Sequence, residues 1–240
     1  MIYNKILESR NHKPLFSLLI DPEKHTRQSL RHLVIKAHEA GVDFILTGGS
    51  LLSQRLDQSI QTIKGHTDVP VLLFPGNLMQ VSPHADGILF LSLISGRNPD
   101  LLIGNHVLSA KMIRDSGLEV IPTGYILVEG GGITSVEYIS NTKPIPSDKT
   151  DIITSTALAG ELLGHKLIYL ESGSGASHSV YSRLIREVKR QVALPLVVGG
   201  GLKKPEDVHR IARAGANMVV VGNALEDKPD QLGEMTAALR

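Results

Sequence analysis

Along this chain short, strand-like apolar runs alternate with longer segments whose apolar residues return every three or four positions. The runs are Leu15–Ile20, Phe44–Leu46, Val71–Phe74, Gly87–Leu91, Val120–Val128, Lys166–Leu170, Leu196–Val198 and Met218–Val221. Between them, His25–Ala40 places Leu30, Leu33, Val34 and Ala37 on one helical face. Asp151–Leu163 and Pro205–Ala214 behave similarly, and Pro205 stands where a first-turn proline belongs. Strands that alternate with amphipathic helices predict a parallel sheet wrapped by helices. Eight such strands in 240 residues favour a closed (β/α)8 barrel over an open sheet. No repeat, low-complexity stretch or linker divides the chain, so residues 1–240 read as a single domain.

One interval breaks the alternation. Between the third and fourth runs lie only Pro75 to Asp86, with two prolines and the pair Gly76-Asn77. That connection is too short and too broken for a crossover helix. The expected fold is therefore a modified TIM barrel lacking the helix between strands 3 and 4. Its side would carry either an apolar groove or an extended connection packed over the core.

Composition narrows the function classes. The chain is 42% hydrophobic and 20% charged, with a net charge of +1, which suits a soluble globular domain without a general drive toward nucleic acid. It has no cysteine, which removes disulfides, thiolate metal sites and cysteine nucleophiles and suits a reducing cytoplasm. No signal peptide is evident, and no apolar run reaches the roughly 20 residues that span a bilayer. The expected compartment is cytoplasmic.

Candidate chemistry gathers where the runs end. Glycine-rich turns follow the last three: Glu171-Ser172-Gly173-Ser174-Gly175, Gly199-Gly200-Gly201 and Gly222-Asn223. Main-chain N–H groups in such turns approach an anion closely, and a helix N-terminus adds partial positive charge. The last two turns form the expected phosphate pocket of a barrel. Glu171 lies two residues beyond Tyr169, so both side chains point the same way. Glu171 reads either as a proton acceptor for a substrate hydroxyl or as a cap on its own loop, and Tyr125 as a neighbour or as core packing.

Asp21 and Ser50 follow the first two runs; they read as two oxygen ligands for Mg²⁺ or as helix N-caps. Gly130-Gly131-Gly132 and the polar stretch Ser140–Thr150 look like an excursion above the barrel, on its active-site face. The histidines form no metal-binding motif. Arg183, Arg186, Lys189 and Arg190 fall along one helical face, either solvated or turned toward anionic lipid as a peripheral membrane contact.

These segments resemble, in order, the geranylgeranylglyceryl phosphate synthase family, which includes heptaprenylglyceryl phosphate synthases. The resemblance runs through Ile20-Asp21-Pro22-Glu23-Lys24, Leu46-Thr47-Gly48-Gly49-Ser50, Phe74-Pro75-Gly76-Asn77 and Pro122–Val128. It continues through Tyr169-Leu170-Glu171-Ser172-Gly173-Ser174-Gly175, Val198–Gly201 and Val221-Gly222-Asn223-Ala224. It implies a transferase joining a polyprenyl diphosphate, with geranylgeranyl diphosphate the expected donor, to the C3 hydroxyl of sn-glycerol 1-phosphate. The products would be an ether lipid precursor and pyrophosphate.

Carried over by position, Asp21 and Ser50 become Mg²⁺ ligands. Tyr169, Leu170, Glu171, Ser172, Gly173, Ser174, Gly175, Gly200, Gly201, Gly222 and Asn223 become the glycerol phosphate site, with Glu171 and Tyr169 catalytic. The resemblance also implies a homo-oligomer, dimer or hexamer. Departures include Leu19, where some relatives carry lysine, and Glu129-Gly130-Gly131, which should loosen its loop. Ala176-Ser177-His178-Ser179-Val180 likewise replaces a proline-rich segment. The competing readings are a phosphate-binding barrel isomerase or lyase, a flavin-dependent barrel, and a non-catalytic phosphate-ligand barrel.

Overall fold

The computed structural model describes residues 1–10, 12–53 and 55–239. Within them, eight parallel strands close into a barrel in sequence order. They are β1 Leu15–Ile20, β2 Phe44–Thr47, β3 Val71–Leu73, β4 Gly87–Leu93, β5 Glu119–Leu127, β6 Leu167–Glu171, β7 Leu196–Gly199 and β8 Met218–Val221. The helices are α1 Ile2–Glu8, α2 Arg27–Glu39, α3 Asp57–Lys64, α4 Asn105–Ser116 and α5 Ser135–Ser140. After them come α6 Thr150–Leu162, α7 Ser182–Gln191, α8 Pro205–Arg213, α9 Asn223–Asp227 and α10 Leu232–Ala237. Every strand expected from the apolar runs is present, with ends only slightly shifted.

Two cores follow from the strand period of two. Phe16, Leu18 and Ile20 point outward and pack with Leu30, Leu33 and Val34 of α2. Leu15 points inward, joining Phe44, Leu72, Leu167 and Tyr169 inside the barrel. Each fully buried aliphatic side chain contributes about 1.5–3 kcal/mol relative to exposure. The inner row of β6 therefore runs Leu167, Tyr169, Glu171, and the last of these arrives at the C-terminal mouth. Helix α2 begins where the Ser29 amide donates to Thr26 Oγ1 at 3.2 Å, and α8 begins at Pro205.

The N-terminal mouth is plugged by α1, an element the apolar pattern does not single out. Ile2 and Ile6 enter the inner core. The amides of Ile2 and Tyr3 donate to the Glu119 carboxylate at 2.6 and 2.8 Å, a favourable pairing for a helix N-terminus. The bottom is sealed, and the C-terminal end is left as the working face.

The missing helix is confirmed. Only a 3-10 turn, Leu78–Gln80, lies between β3 and β4. Register there is confined to Leu72↔Gly87 and Leu73↔Ile88, whereas β4 and β5 pair from Gly87↔Glu119 to Leu93↔Tyr125. The connection packs against the barrel through buried Gln80 and Ser82. It nevertheless leaves the outer face of β4 open beside α4, so both readings of this interval hold together.

Candidate active site

Glu171, the last residue of β6, is 5% exposed. Its Oε1 accepts the Gly173 amide at 2.6 Å. Burial pushes its pKa up to about 7, against the Gly173 amide and the nearby Tyr169 hydroxyl, which pull it down. The carboxylate thus caps its own loop and is also poised near neutrality, as a general base requires. Tyr169 is fully buried, its ring 5.4 Å from Phe74 and 5.3 Å from Tyr125. The Tyr169 hydroxyl has no well-aligned hydrogen-bond partner among the described residues. Burial, and then the Glu171 charge, hold both tyrosine hydroxyls well above their ordinary pKa, so both stay neutral. Phe74, Tyr125, Tyr169 and Glu171 line one cavity of about 1100 Å³.

The glycine turns form the polar wall of that cavity. Ser174, Gly175, Gly200, Gly201, Gly222 and Asn223 all line it. A Cβ on Gly200, whose φ is +80°, would stand 2.1 Å from Glu171 Oε1. Only glycine lets the β7 turn press against the carboxylate. Among the described residues, the amides of Gly200, Gly201 and Leu202 donate to no group. Ser172 and Gly173 sit behind this wall; the Ser172 hydroxyl is buried without a partner among the described residues. Leu170 faces the helix layer instead, which leaves only its main chain on the site's side.

On the opposite wall, Asp21 follows β1. Its carboxylate accepts the Glu23 amide at 3.2 Å, so the N-cap reading holds for Asp21. Burial raises its pKa; the Glu23 amide and Lys24 oppose that shift, while Glu226 and Glu23 add to it. Ser50 is no N-cap, since α3 starts later, behind Leu56. Instead Ser50 ends a glycine loop clamped by Gln80. Gln80 Oε1 accepts the Gly49 and Gly76 amides at 3.2 and 3.1 Å, and its Nε2 donates to the Gly49 carbonyl at 2.7 Å. The clamp lays Gly49 against Asp21, with a Cβ there 3.4 Å from Asp21 Oδ1.

No cluster of three or more His, Cys, Asp or Glu among the described residues could hold a metal. One carboxylate and one hydroxyl fit a hard cation that keeps waters and takes phosphate oxygens. Asp21, which receives a single main-chain donor and faces the cavity, suits that donor set.

From this mouth the cavity runs sideways through the gap left by the missing helix. Val81, Ile88, Phe90, Leu101 and Ile113 line that arm, with Ser109 and His106 among them. His106 meets Ser92 Oγ at 3.0 Å and sets its ring edge-on to Phe90 at 4.4 Å. Desolvation by burial lowers its pKa, keeping the ring neutral.

One expectation about a neighbouring surface changes. The Glu129-Gly130-Gly131 loop is tied down, not loosened. His178 N donates to the Gly130 carbonyl at 3.1 Å, Ser177 Oγ to the Gly131 carbonyl at 2.8 Å, and Glu129 N to the Ile145 carbonyl at 3.0 Å. The cationic run on α7 keeps Arg183, Arg186 and Arg190 exposed, in agreement with the solvated reading, and three of its four side chains also pair within the protein. Lys189 donates to Asn217 Oδ1 at 2.8 Å, Arg183 to the Ser147 carbonyl at 3.0 Å, and Arg190 to Glu187 at 2.6 Å.

Sequence reasoning missed Gln80, Lys24, Phe74 and Glu226. Lys24 and Phe74 lie in the quoted motifs, three residues after Asp21 and just before Pro75. Nothing local marks Gln80 or Glu226.

A family model described as the PcrB family matches residues 4–239. A geranylgeranylglyceryl phosphate synthase of Chitinophaga pinensis is 48% identical, covering 99% of this chain and 95% of that protein. One of Spirosoma linguale is 45% identical over 94% of this chain and 91% of its own length. Among solved structures, the (S)-3-O-geranylgeranylglyceryl phosphate synthase of Thermoplasma acidophilum, in complex with its substrate sn-glycerol-1-phosphate, superposes with a TM-score of 0.95. It is 32% identical and covers 100% of this chain and 98% of that one.

Proposed function

The chain belongs to the PcrB family and is a prenyltransferase, and we propose that it joins a polyprenyl diphosphate to the C3 hydroxyl of sn-glycerol 1-phosphate. One observation carries this reading. A single cavity combines a glycine-walled polar mouth with an apolar side arm, and Glu171 lines it beside Tyr169, whose ring packs against Phe74 and Tyr125. A phosphate-binding isomerase or lyase needs the mouth but not the arm.

In this reading the acceptor phosphate rests on the free amides of Gly200 and Gly201 and on the turn at Gly222-Asn223. The isoprenoid tail lies along Val81, Ile88 and Phe90, with geranylgeranyl diphosphate as the proposed donor. Asp21 and Ser50 would hold Mg²⁺, which when bound supplies charge neutralisation at the leaving diphosphate. Heterolysis of the allylic C1–O bond sends its electron pair out with pyrophosphate. The rings of Tyr169, Tyr125 and Phe74 offer π faces to the developing allylic cation. The C3 oxygen then bonds to C1 while its proton passes to Glu171, held in place by the Gly173 amide.

No helix among the described residues is long and apolar enough to cross a membrane. Ile103, Val107 and Leu108 around α4, and Leu162 and Leu163 at the end of α6, are exposed. Apolar exposure of this kind supports the proposed homo-oligomer.

The test is purified protein with labelled sn-glycerol 1-phosphate, a Mg²⁺ titration and prenyl diphosphates of several lengths. Formation of a prenyl ether and pyrophosphate is expected, with Asp21→Ala losing most activity at every Mg²⁺ concentration. Absence of ether from every donor would refute the reaction. Full activity of Asp21→Ala would refute the metal assignment.

A further inference from the structure

Pairing of β1 with β8 closes the barrel, with Leu18 opposite Val221. It brings the loop carrying Asp21 against the loop carrying Asn223, so the two proposed anion subsites share a seam. The Lys24 ammonium sits on that seam. Its Nζ lies 2.7 Å from Asn223 Oδ1, 3.0 Å from Glu226 Oε2 and 3.9 Å from Asp21 Oδ2.

The two partners of this ion pair differ in freedom. The Glu226 side chain is 3% exposed and accepts the Asp21 amide at 2.7 Å, with His25 Nε2 at 3.4 Å. Glu226 is a fixed post, since the Asp21 amide and His25 hold it independently of Lys24. The Lys24 side chain is 43% exposed and lines the cavity. Its flexible stem lets the ammonium reach a substrate oxygen while Glu226 retains its other donors. With Oδ1 facing Lys24, the Asn223 NH₂ donates to no group among the described residues.

Two phosphorylated substrates in one mouth repel each other, and a mobile cation between them offsets that repulsion. We propose that Lys24 contacts both substrates, bridging the acceptor phosphate on the Asn223 side and the donor diphosphate on the Asp21 side, with Glu226 as its positioning residue. This inference rests on the two-anion reading of the site given above. The anion that binds first draws the ammonium away from Glu226, the second need not repeat that cost, and coupling is reciprocal, so each anion should raise the affinity for the other.

Calorimetric titration of the full chain with Mg²⁺ tests it, using sn-glycerol 1-phosphate and inorganic pyrophosphate, singly and each in the presence of the other. Hydrogen bonds to charged groups predict that Lys24→Met weakens each anion by about tenfold or more. The same variant should abolish their mutual enhancement, and Lys24→Arg should restore much of both. Glu226→Gln should weaken both anions in the parent yet add little in a Lys24→Met background, the non-additivity expected of residues acting as a unit. An equal loss in both backgrounds would mark Glu226 as merely structural and overturn its positioning role.

Parental affinities in a folded Lys24→Met protein would overturn the inference, and weakening of only one anion would overturn the bridge. Either result leaves the proposed function standing if the parent still makes a prenyl ether. If the parent makes no ether while Lys24→Met weakens both anions, the function fails and the bridge stands. If the parent binds neither anion, both fall.

Discussion

Replacing Glu171 by Gln removes a charge and a proton acceptor while keeping the shape of the side chain. The amide oxygen can still accept the Gly173 N–H that now reaches Oε1 at 2.6 Å, so the turn should keep its geometry. Loss of a general base lowers kcat by roughly 10²–10⁴-fold, or about 3–5 kcal/mol in the barrier. Affinity for sn-glycerol 1-phosphate should barely change, because the phosphate rests on main-chain amides. The parent's kcat/KM should rise with pH through a limb near 7, where burial has placed the Glu171 ionisation. The variant should lack that limb, which separates it from ionisation of the substrate phosphate.

The same substitution acts on stability with a definite sign. In the folded chain Glu171 titrates at about 7, against an ordinary value of 4.5. Below the lower value both states are protonated and the group costs nothing. As pH rises from the lower value to the upper one the unfolded chain ionises first, so a cost on the order of 3 kcal/mol builds up and is fully felt above about pH 8. Glu171→Gln should therefore melt several degrees higher than the parent at alkaline pH, given about 2–4 °C per kcal/mol for a chain of this size. That advantage should shrink toward zero near pH 4.5. Steady-state kinetics from about pH 5.5 to 9, with thermal melts at about pH 4.5 and 9, make the assay. Equal rates for parent and variant would remove Glu171 from the chemistry. A melting difference independent of pH would contradict its raised pKa.

Two further outcomes follow from the cavity walls. Gly200→Ala places a Cβ 2.1 Å from Glu171 Oε1 at a φ of +80°. It should cost about 1–3 kcal/mol of stability and weaken sn-glycerol 1-phosphate at least tenfold by calorimetry; parental affinity would show that this turn does not hold the phosphate. Ser109→Phe fills the side arm lined by Ile113 and Phe90. It should lower kcat/KM for long prenyl donors at least tenfold more than for short ones, since each buried methylene is worth about 0.8 kcal/mol. An equal loss for all lengths would place the tail elsewhere.

Much of this protein was determined by local order in the chain. Buried strands must be apolar along their whole length, so their runs are readable without coordinates. The period of two aims Glu171 inward once Tyr169 is seen to point inward, and Gly200 is glycine because no larger residue tolerates its backbone and its contact with Glu171. The gap between Leu73 and Gly87 is too short for a helix under any packing. The resemblance in Asp21–Lys24 and Tyr169–Gly175 extended these readings to a family.

Tertiary structure alone decided the rest, because those features depend on surfaces that do not exist until the barrel closes. Helix α1 is too short to announce itself and becomes a plug only when Ile2 and Ile6 find an open barrel end. Gln80 matters because two glycine loops, distant in sequence, present their amides to its one side chain. Lys24 and Glu226 are separated by 202 positions; the β1–β8 seam brings them within 3.0 Å. Local pattern reports what each residue must bury, whereas which charges become neighbours is settled by closure of the sheet.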